Sequence, residues 1–222
     1  MTKDFSIKPY VSTQAGMIVV NAQNPVQTNY VNSSPKLDVT CGVGAELKKG
    51  NIFADANANV GTNIVANGKA GYSIPLNEVL SVNLSANAQY AQNIVSPKER
   101  DILNITQNLS PDFTPIGEPE TYTVKGYTDQ IDSFSRTKVG GAVELGCKSK
   151  DGGFNAGIGA EYGYYTTSAN VRPTQIAEPQ KSKMSESLIL PTIRCGADLK
   201  SGFSVAFKSN LAETHLELKK TF

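Results

Sequence analysis

The chain has 222 residues, a formal net charge of +1 and 18 % charged residues. That balance excludes the basic excess of a nucleic-acid-binding protein and the acidic tail of a solvating arm. Hydrophobic residues make up 39 %, little for a solid globular core of this size. It is nonetheless compatible with a membrane β-barrel, in whose wall only every second side chain meets lipid.

No apolar run reaches the ~18 residues that a transmembrane helix needs. The opening Met1-Thr2-Lys3-Asp4-Phe5 lacks the apolar stretch of about 7–15 residues of a secretion signal. The expectation is a mature start, or else a chain made without a signal. Cys41, Cys147 and Cys195 form no CxxC pair, so neither a disulfide framework nor a zinc site is expected. They read as small apolar residues on strand faces. No cofactor or metal is expected, and His215 is the sole imidazole.

Period-two alternation, the mark of half-buried strands, predicts about ten of them: 4–13, 36–48, 51–62, 65–75, 79–93, 134–149, 153–168, 184–199, 202–209 and 212–222. Val39, Cys41, Val43, Ala45 and Leu47 alternate with polar residues and Gly. Leu80, Val82, Leu84, Ala86, Ala88 and Tyr90 alternate with Ser, Asn and Gln. Val139, Val143, Leu145 and Cys147 oppose Arg136, Lys138 and Glu144. Phe154, Ala156, Ile158, Ala160, Tyr162 and Tyr164 follow the same rule, as do Ile189, Ile193, Cys195 and Ala197 against Glu186, Thr192, Arg194 and Asp198. Most of these segments exceed the ~5–6 residues of an ordinary strand and match the ~9–11 that cross a bilayer at a tilt.

A reversal is needed within 51–75. It falls either at Gly61-Thr62-Asn63 or at Asn67-Gly68, the stronger hairpin dipeptide. Losing this reversal and the one near Ser209-Asn210-Leu211 would leave eight strands; an extra hairpin inside 94–133 would make twelve.

Short connections recur as Glu46-Leu47-Lys48-Lys49-Gly50, Lys148-Ser149-Lys150-Asp151-Gly152-Gly153 and Asp198-Leu199-Lys200-Ser201-Gly202, with Gly where a tight turn needs it. Pro75-Leu76-Asn77-Glu78 reads as a fourth. The remaining segments, 14–35, 94–133 and 169–183, are long, polar and rich in Pro. In an up-and-down chain they emerge opposite the short turns, the asymmetry of an outer-membrane barrel. The expectation is one closed antiparallel transmembrane β-barrel domain over 1–222.

Three features of the chain resemble the bacterial outer-membrane β-barrel superfamily, meaning opacity-type, porin-like and autotransporter-like barrels. The terminal strand sets Leu216, Leu218 and Phe222 on one face, like a C-terminal barrel signal. The segments from Val43 to Gly50 and from Phe154 to Tyr162 read like barrel strands. Phe5-Ser6-Ile7-Lys8-Pro9-Tyr10-Val11 reads like a first strand. The resemblance implies a bacterial outer-membrane location, an organellar outer membrane being the alternative, and the lipid bilayer as a partner.

The polar strand face gathers Glu46, Asp55, Lys69, Arg136, Lys138, Glu144, Glu161, Glu186, Arg194, Asp198, Lys208, Glu217 and Lys219. Buried charges must be paired or solvated, so this face is expected to form a salt-bridge network filling a narrow lumen. The alternative is a small water-filled diffusion channel. Tyr162, Tyr164 and Tyr165 are expected as an interfacial aromatic belt, and Asp129 and Asp132 as solvated loop acids. His215, beside Glu213 and Glu217, is the one candidate base, and no enzyme activity is expected. Loops on a rigid scaffold are where binding concentrates. Function is therefore expected in the loops, as adhesion, partner docking or assembly of an envelope complex, with Phe113, Ile116, Tyr122 and Tyr127 as contact candidates. A soluble lipocalin-like barrel remains a third reading, and it demands an apolar interior.

Overall fold

The computed structural model describes residues 5–18, 20–26, 29–32, 37–94, 97–109, 115–151, 153–174, 176–199, 202–210 and 213–222. Ten strands close into one antiparallel barrel. They are β1 (Phe5–Ile18), β4 (Leu37–Lys49), β5 (Ile52–Val60), β6 (Asn63–Pro75), β7 (Leu80–Asn93), β10 (Ile131–Lys148), β11 (Phe154–Val171), β12 (Gln180–Asp198), β13 (Phe203–Ser209) and β14 (Glu213–Thr221). β1 pairs with both β14 and β4, which seals the wall and leaves no sheet edge around its waist. Two further ribbons stand outside the wall: β2 (Asn21–Gln23) with β3 (Tyr30–Asn32), and β8 (Glu99–Leu109) with β9 (Pro115–Tyr127).

The segment 94–133, expected as a loop, thus holds the hairpin that would have raised the count to twelve, but this hairpin does not enter the wall, which keeps ten strands. The long loops are shorter than their expected bounds. β1 runs on to Ile18, β10 begins at Ile131, β11 ends at Val171 and β12 begins at Gln180. Polar inward residues at the far ends of these strands hide the extension from a hydrophobicity pattern. The reversal within 51–75 falls at Gly61-Thr62, while Asn67 and Gly68 pair inside β6 with Asn57 and Ala56. The Asp38 carboxylate locks that turn, accepting from the Thr62 N–H at 3.0 Å, the Thr62 hydroxyl at 2.7 Å and Asn63 Nδ2 at 2.7 Å. This turn and the one between β13 and β14 are short, so the long-loop rim is not uniformly long. At the other rim, Gly50 and Gly202 take φ of 60° and 80°, the left-handed conformation that a side chain would disfavour.

The barrel carries its apolar side chains on the outside. Ile7, Val11, Val39, Val43, Ile52, Ile74, Leu84, Val139, Leu145, Ile158, Ile189, Ile193 and Leu218 are all exposed. Charged outward residues lie toward the ends of the wall, Lys49 and Lys220 near the short turns and Lys181 and Lys183 near the long loops; Lys220 leans on an aromatic ring. Its Nζ lies 4.5 Å from the Phe203 ring centroid, a snorkelling arrangement. Aromatic residues band both ends of this surface: Phe5, Phe154, Phe203 and Phe222 beside the short turns, and Tyr90, Tyr162 and Tyr164 farther up. An apolar belt between aromatic girdles, with polar groups turned inward, is the surface of a membrane-spanning barrel. It is the reverse of what a soluble lipocalin-like barrel needs. Tyr165 departs from the expected belt: it is buried inside, with Arg136 and Lys138 each 5.4 Å from its ring centroid. Cys41 and Cys147 are exposed on the outer face, and all three cysteines are free thiols.

Candidate functional site

Two regions concentrate polar chemistry: the lumen, and the long-loop end above it. In the lumen, alternation turns a polar set inward from every strand, charged on all but β7, and most ion pairs then link strands that are not neighbours. Arg194 of β12 donates to Glu144 of β10 at 2.8 and 3.2 Å, across the intervening β11. Gly157 makes room for this, because a Cβ there would sit 2.6 Å from the Glu144 side chain. Glu161, only 2 % exposed, is held by Lys138 at 2.7 Å, Lys208 at 3.3 Å and Asn87 Nδ2 at 2.8 Å. Arg136 pairs with Glu213, and His215 Nε2 lies 3.5 Å from the other Glu213 oxygen. Lys219 pairs with Glu46, stands 3.7 Å from Asp55 and lies 3.6 Å from the Tyr10 ring centroid. The Tyr10 hydroxyl donates to Asp55 at 2.9 Å.

Of the expected network, Glu46, Arg136, Lys138, Glu144, Glu161, Arg194 and Lys219 are thus joined by ion pairs. Glu186, Asp198 and Glu217 lie on inward positions without an ion pair among the described residues. Glu217 accepts a hydrogen bond from Gln14 at 3.1 Å. A cavity of about 410 Å³ remains between these groups, reaching Asn155, Asp198 and Ser204 near the short-turn rim.

At the long-loop end sits a cap of apolar residues that single-strand alternation does not reveal. Val20, Ala22, Ile131, Ala169 and Val171 are buried together, with Phe134 packed against them. β2 lies against β11 and β12, whose upper portions rise past the end of β13 at Ser209. Asn24 Nδ2 and Gln130 Nε2 both donate to the Pro173 carbonyl, at 3.1 and 3.2 Å, tying the segment before β3 to the β11–β12 connection. Asp132 and Asp129 are not the solvated loop acids expected. Asp132 pairs with Arg172 at 2.8 Å, and buried Asp129 accepts from the Ile131 N–H.

Above this cap stands the β8–β9 ribbon. Its base is pinned by the Arg172 guanidinium, 3.6 Å from the Tyr127 ring centroid. Tyr127, a contact candidate by sequence, is therefore engaged within the chain. Two residues up from the Glu99–Tyr127 base, Lys125 and Asp101 pair across the two strands at 2.6 Å, and this bond holds the Lys125 ammonium above its usual range. Ile116 and Tyr122 fall within β9, their side chains outside the described residues, as Phe113 is altogether. Leu216 and Leu218 face outward on β14, and Phe222 follows it with the highest exposure of the C-terminal trio.

Comparisons with known proteins add little to this geometry. No family model and no curated protein matches the chain. Among solved structures, outer membrane protease OmpT from Escherichia coli is similar over 100 % of this chain and 98 % of that one, with 8 % identity and a TM-score of 0.48. The toluene transporter TodX of P. putida is similar over 95 % of this chain and 66 % of that one, with 10 % identity and a TM-score of 0.36.

Proposed function

We propose that this chain is a bacterial outer-membrane barrel that acts through its long-loop end, the β8–β9 ribbon docking a protein partner in adhesion or in assembly of an envelope complex. The observation that carries this reading is the pairing of a capped, charge-filled lumen with a two-stranded ribbon that projects from the rim. An isolated hairpin is at best marginally stable in water. A projecting ribbon with both edges open is also a ready template for strand addition by another chain. The barrel then serves as anchor and is read as non-enzymatic: among the described residues His215 has Glu213 as its ion partner, and no hydroxyl or thiol hydrogen-bonds to its ring.

The test replaces residues 99–127 by a short Gly linker. Heat-modifiable migration in detergent gels reports folding of the barrel. Photo-cross-linking from Val124 in intact cells reports contact with a partner. The expected result is an unchanged gel shift, with a discrete adduct from the full-length protein and no adhesion or complex formation by the deleted form. Equal adhesion and equal complex formation by the two forms would refute the reading. A second reading, a passive diffusion channel, draws support from the residual lumenal cavity. It predicts steady single-channel conductance in planar bilayers, which the cap argues against.

A further inference from the structure

One strand of the closed wall keeps a long edge without a partner. β12 pairs with β11 along its whole length, from Gln180 to Asp198, but with β13 only from Ile193 to Asp198. β13 stops at Ser209, where the Asn210 N–H donates to the Glu213 carbonyl and the chain turns back into β14. Above that turn the β13-facing edge of β12 meets no strand among the described residues. β2 lies against β12 but forms no ladder with it.

The lower end of β12 fixes which residues carry this edge. The Asp198 N–H donates to Gly153, on the β11 side, and the Leu199 N–H to Phe203, on the β13 side. In an antiparallel ladder the N–H and C=O of one residue point the same way, so odd-numbered residues face the open side. Lys181, Lys183, Ser185, Ser187 and Ile189 therefore present both groups there, and Pro191 presents a carbonyl alone. Ile189 lies beside Tyr162, and Ser187 beside Tyr164, of the upper aromatic girdle. An unpaired donor is costly in hydrocarbon, and proline, just below this level, has none to leave unpaired. From Ser187 upward the edge rises past the girdle.

Side chains on this edge select a partner. Lys181 and Lys183 are exposed on the outer face. Their cross-strand neighbours, Asn170 and Ser168, are neutral, and neither lysine has a carboxylate within ion-pair distance among the described residues. The inner face of the same stretch carries Met184, Glu186, Leu188 and Leu190. Opposite charges on neighbouring strands attract and like charges repel. A second copy of this chain fits poorly, because barrel strands tilt by roughly 35–45°. The β12 edges of two barrels side by side in one bilayer would cross steeply instead of running together.

We propose that the open edge of β12 takes an added strand from another protein, an extended segment that is acidic opposite Lys181 and Lys183 and apolar beside Met184 and Leu188. The added strand continues the line of β13 above Asn210. Main-chain hydrogen bonds at Lys183, Ser185 and Ser187 supply affinity, and the alternate side chains supply selectivity. The edge is already ordered by β11, so only the incoming segment loses chain entropy. This site is separate from the β8–β9 ribbon and does not depend on it.

The experiment is fluorescence anisotropy of a short labelled peptide alternating glutamate with valine, titrated with the full-length barrel in detergent micelles, beside a lysine–valine counterpart. A form with residues 99–127 replaced by a Gly linker separates this site from the ribbon. The acidic peptide should bind both forms alike, and the basic one should bind about tenfold more weakly or worse. Lys181→Glu with Lys183→Glu should reverse that order. Ser185→Pro deletes an edge N–H that bonds nothing within the chain and should cost about tenfold or more, whereas Ser185→Ala, which keeps the N–H, should bind normally. Gel shift on boiling reports the fold of each variant. Four results would overturn the proposal: no binding of the acidic peptide by the unaltered protein, equal binding of the two peptides, unchanged affinity in folded Ser185→Pro, or binding that disappears with the ribbon.

Discussion

Replacing Ile158 by Arg puts a charge in the middle of the outward apolar band. Ile158 is 62 % exposed, with Leu145 beside it on β10 and Ile193 beside it on β12. Along β11 the outward positions run from Phe154 to Tyr164, so Ile158 sits near the midpoint between the two aromatic girdles. At a bilayer midplane an Arg on the lipid face costs about 2–4 kcal/mol, falling to about 0–1 near the interfaces. The expected loss for Ile158→Arg is therefore about 3 kcal/mol, roughly a hundredfold in the folded-to-unfolded ratio at 1.4 kcal/mol per tenfold. Phe154→Arg, at the short-turn girdle, should cost less than about 1 kcal/mol from the charge itself. The assay is reversible urea unfolding of barrels refolded into lipid vesicles, read by heat-modifiable migration. In a soluble barrel the same substitution on an exposed face would change stability by about 0.5 kcal/mol or less. A cost that small, or an equal cost at both positions, would refute the membrane assignment of this surface.

Glu161→Leu strands buried Lys138 and should destabilise the barrel by about 3–5 kcal/mol, while adding Lys138→Met should recover much of the loss; urea midpoints of the single and double variants decide this. Val20→Asp combined with Val171→Asp charges the cap and should open the long-loop end, so that steady conductance appears in planar bilayers where the unaltered protein shows none; an unchanged trace would show that the closure lies elsewhere. In the β10–β11 turn, the Ser149 hydroxyl and the Gly153 N–H hold the Asp151 carboxyl below its usual range. A depressed carboxyl stabilises the turn above its unfolded value and loses that contribution as pH falls through the folded one, so proteolytic nicking at 149–153 should rise below about pH 4, and Asp151→Asn should abolish that pH dependence. The Lys125 ammonium is raised by Asp101, so its contribution is complete below the ordinary lysine value and fades as pH climbs through the raised one. Amide exchange in the ribbon should therefore lose protection at strongly alkaline pH, and Asp101→Asn should remove that step.

Much of the wall was legible in the sequence because it obeys a local rule. In a barrel every strand meets the same two environments, lipid outside and a polar lumen inside, so the alternation at Phe154, Ala156, Ile158 and Ala160 is dictated residue by residue. The ten strands, the short turns with Gly50 and Gly202, and the inward set around Glu144, Glu161 and Arg194 follow from that periodicity. The rule failed where a side chain's environment changes along a strand. Tyr165 reads like its neighbour Tyr164, yet its inward register places it over Arg136 and Lys138. Asp132 reads as a loop acid, yet β10 extends to meet Arg172. Asn67-Gly68 has the stronger turn propensity, but Asp38, distant in sequence, fastens the turn at Thr62 and Asn63.

The chain's own pattern therefore determined the architecture: strand number, the facing of most side chains, and the apolar outer surface. Tertiary structure decided which charges meet, because Arg194 with Glu144 and Lys219 with Glu46 join strands that share no hydrogen bond. It also decided that Val20, Ala22, Ile131, Ala169 and Val171, scattered over three stretches of sequence, are buried together at the long-loop end. Periodicity acts between neighbours and is written locally, whereas compensation of charge and closure of a lumen depend on barrel curvature and on the register summed around the wall.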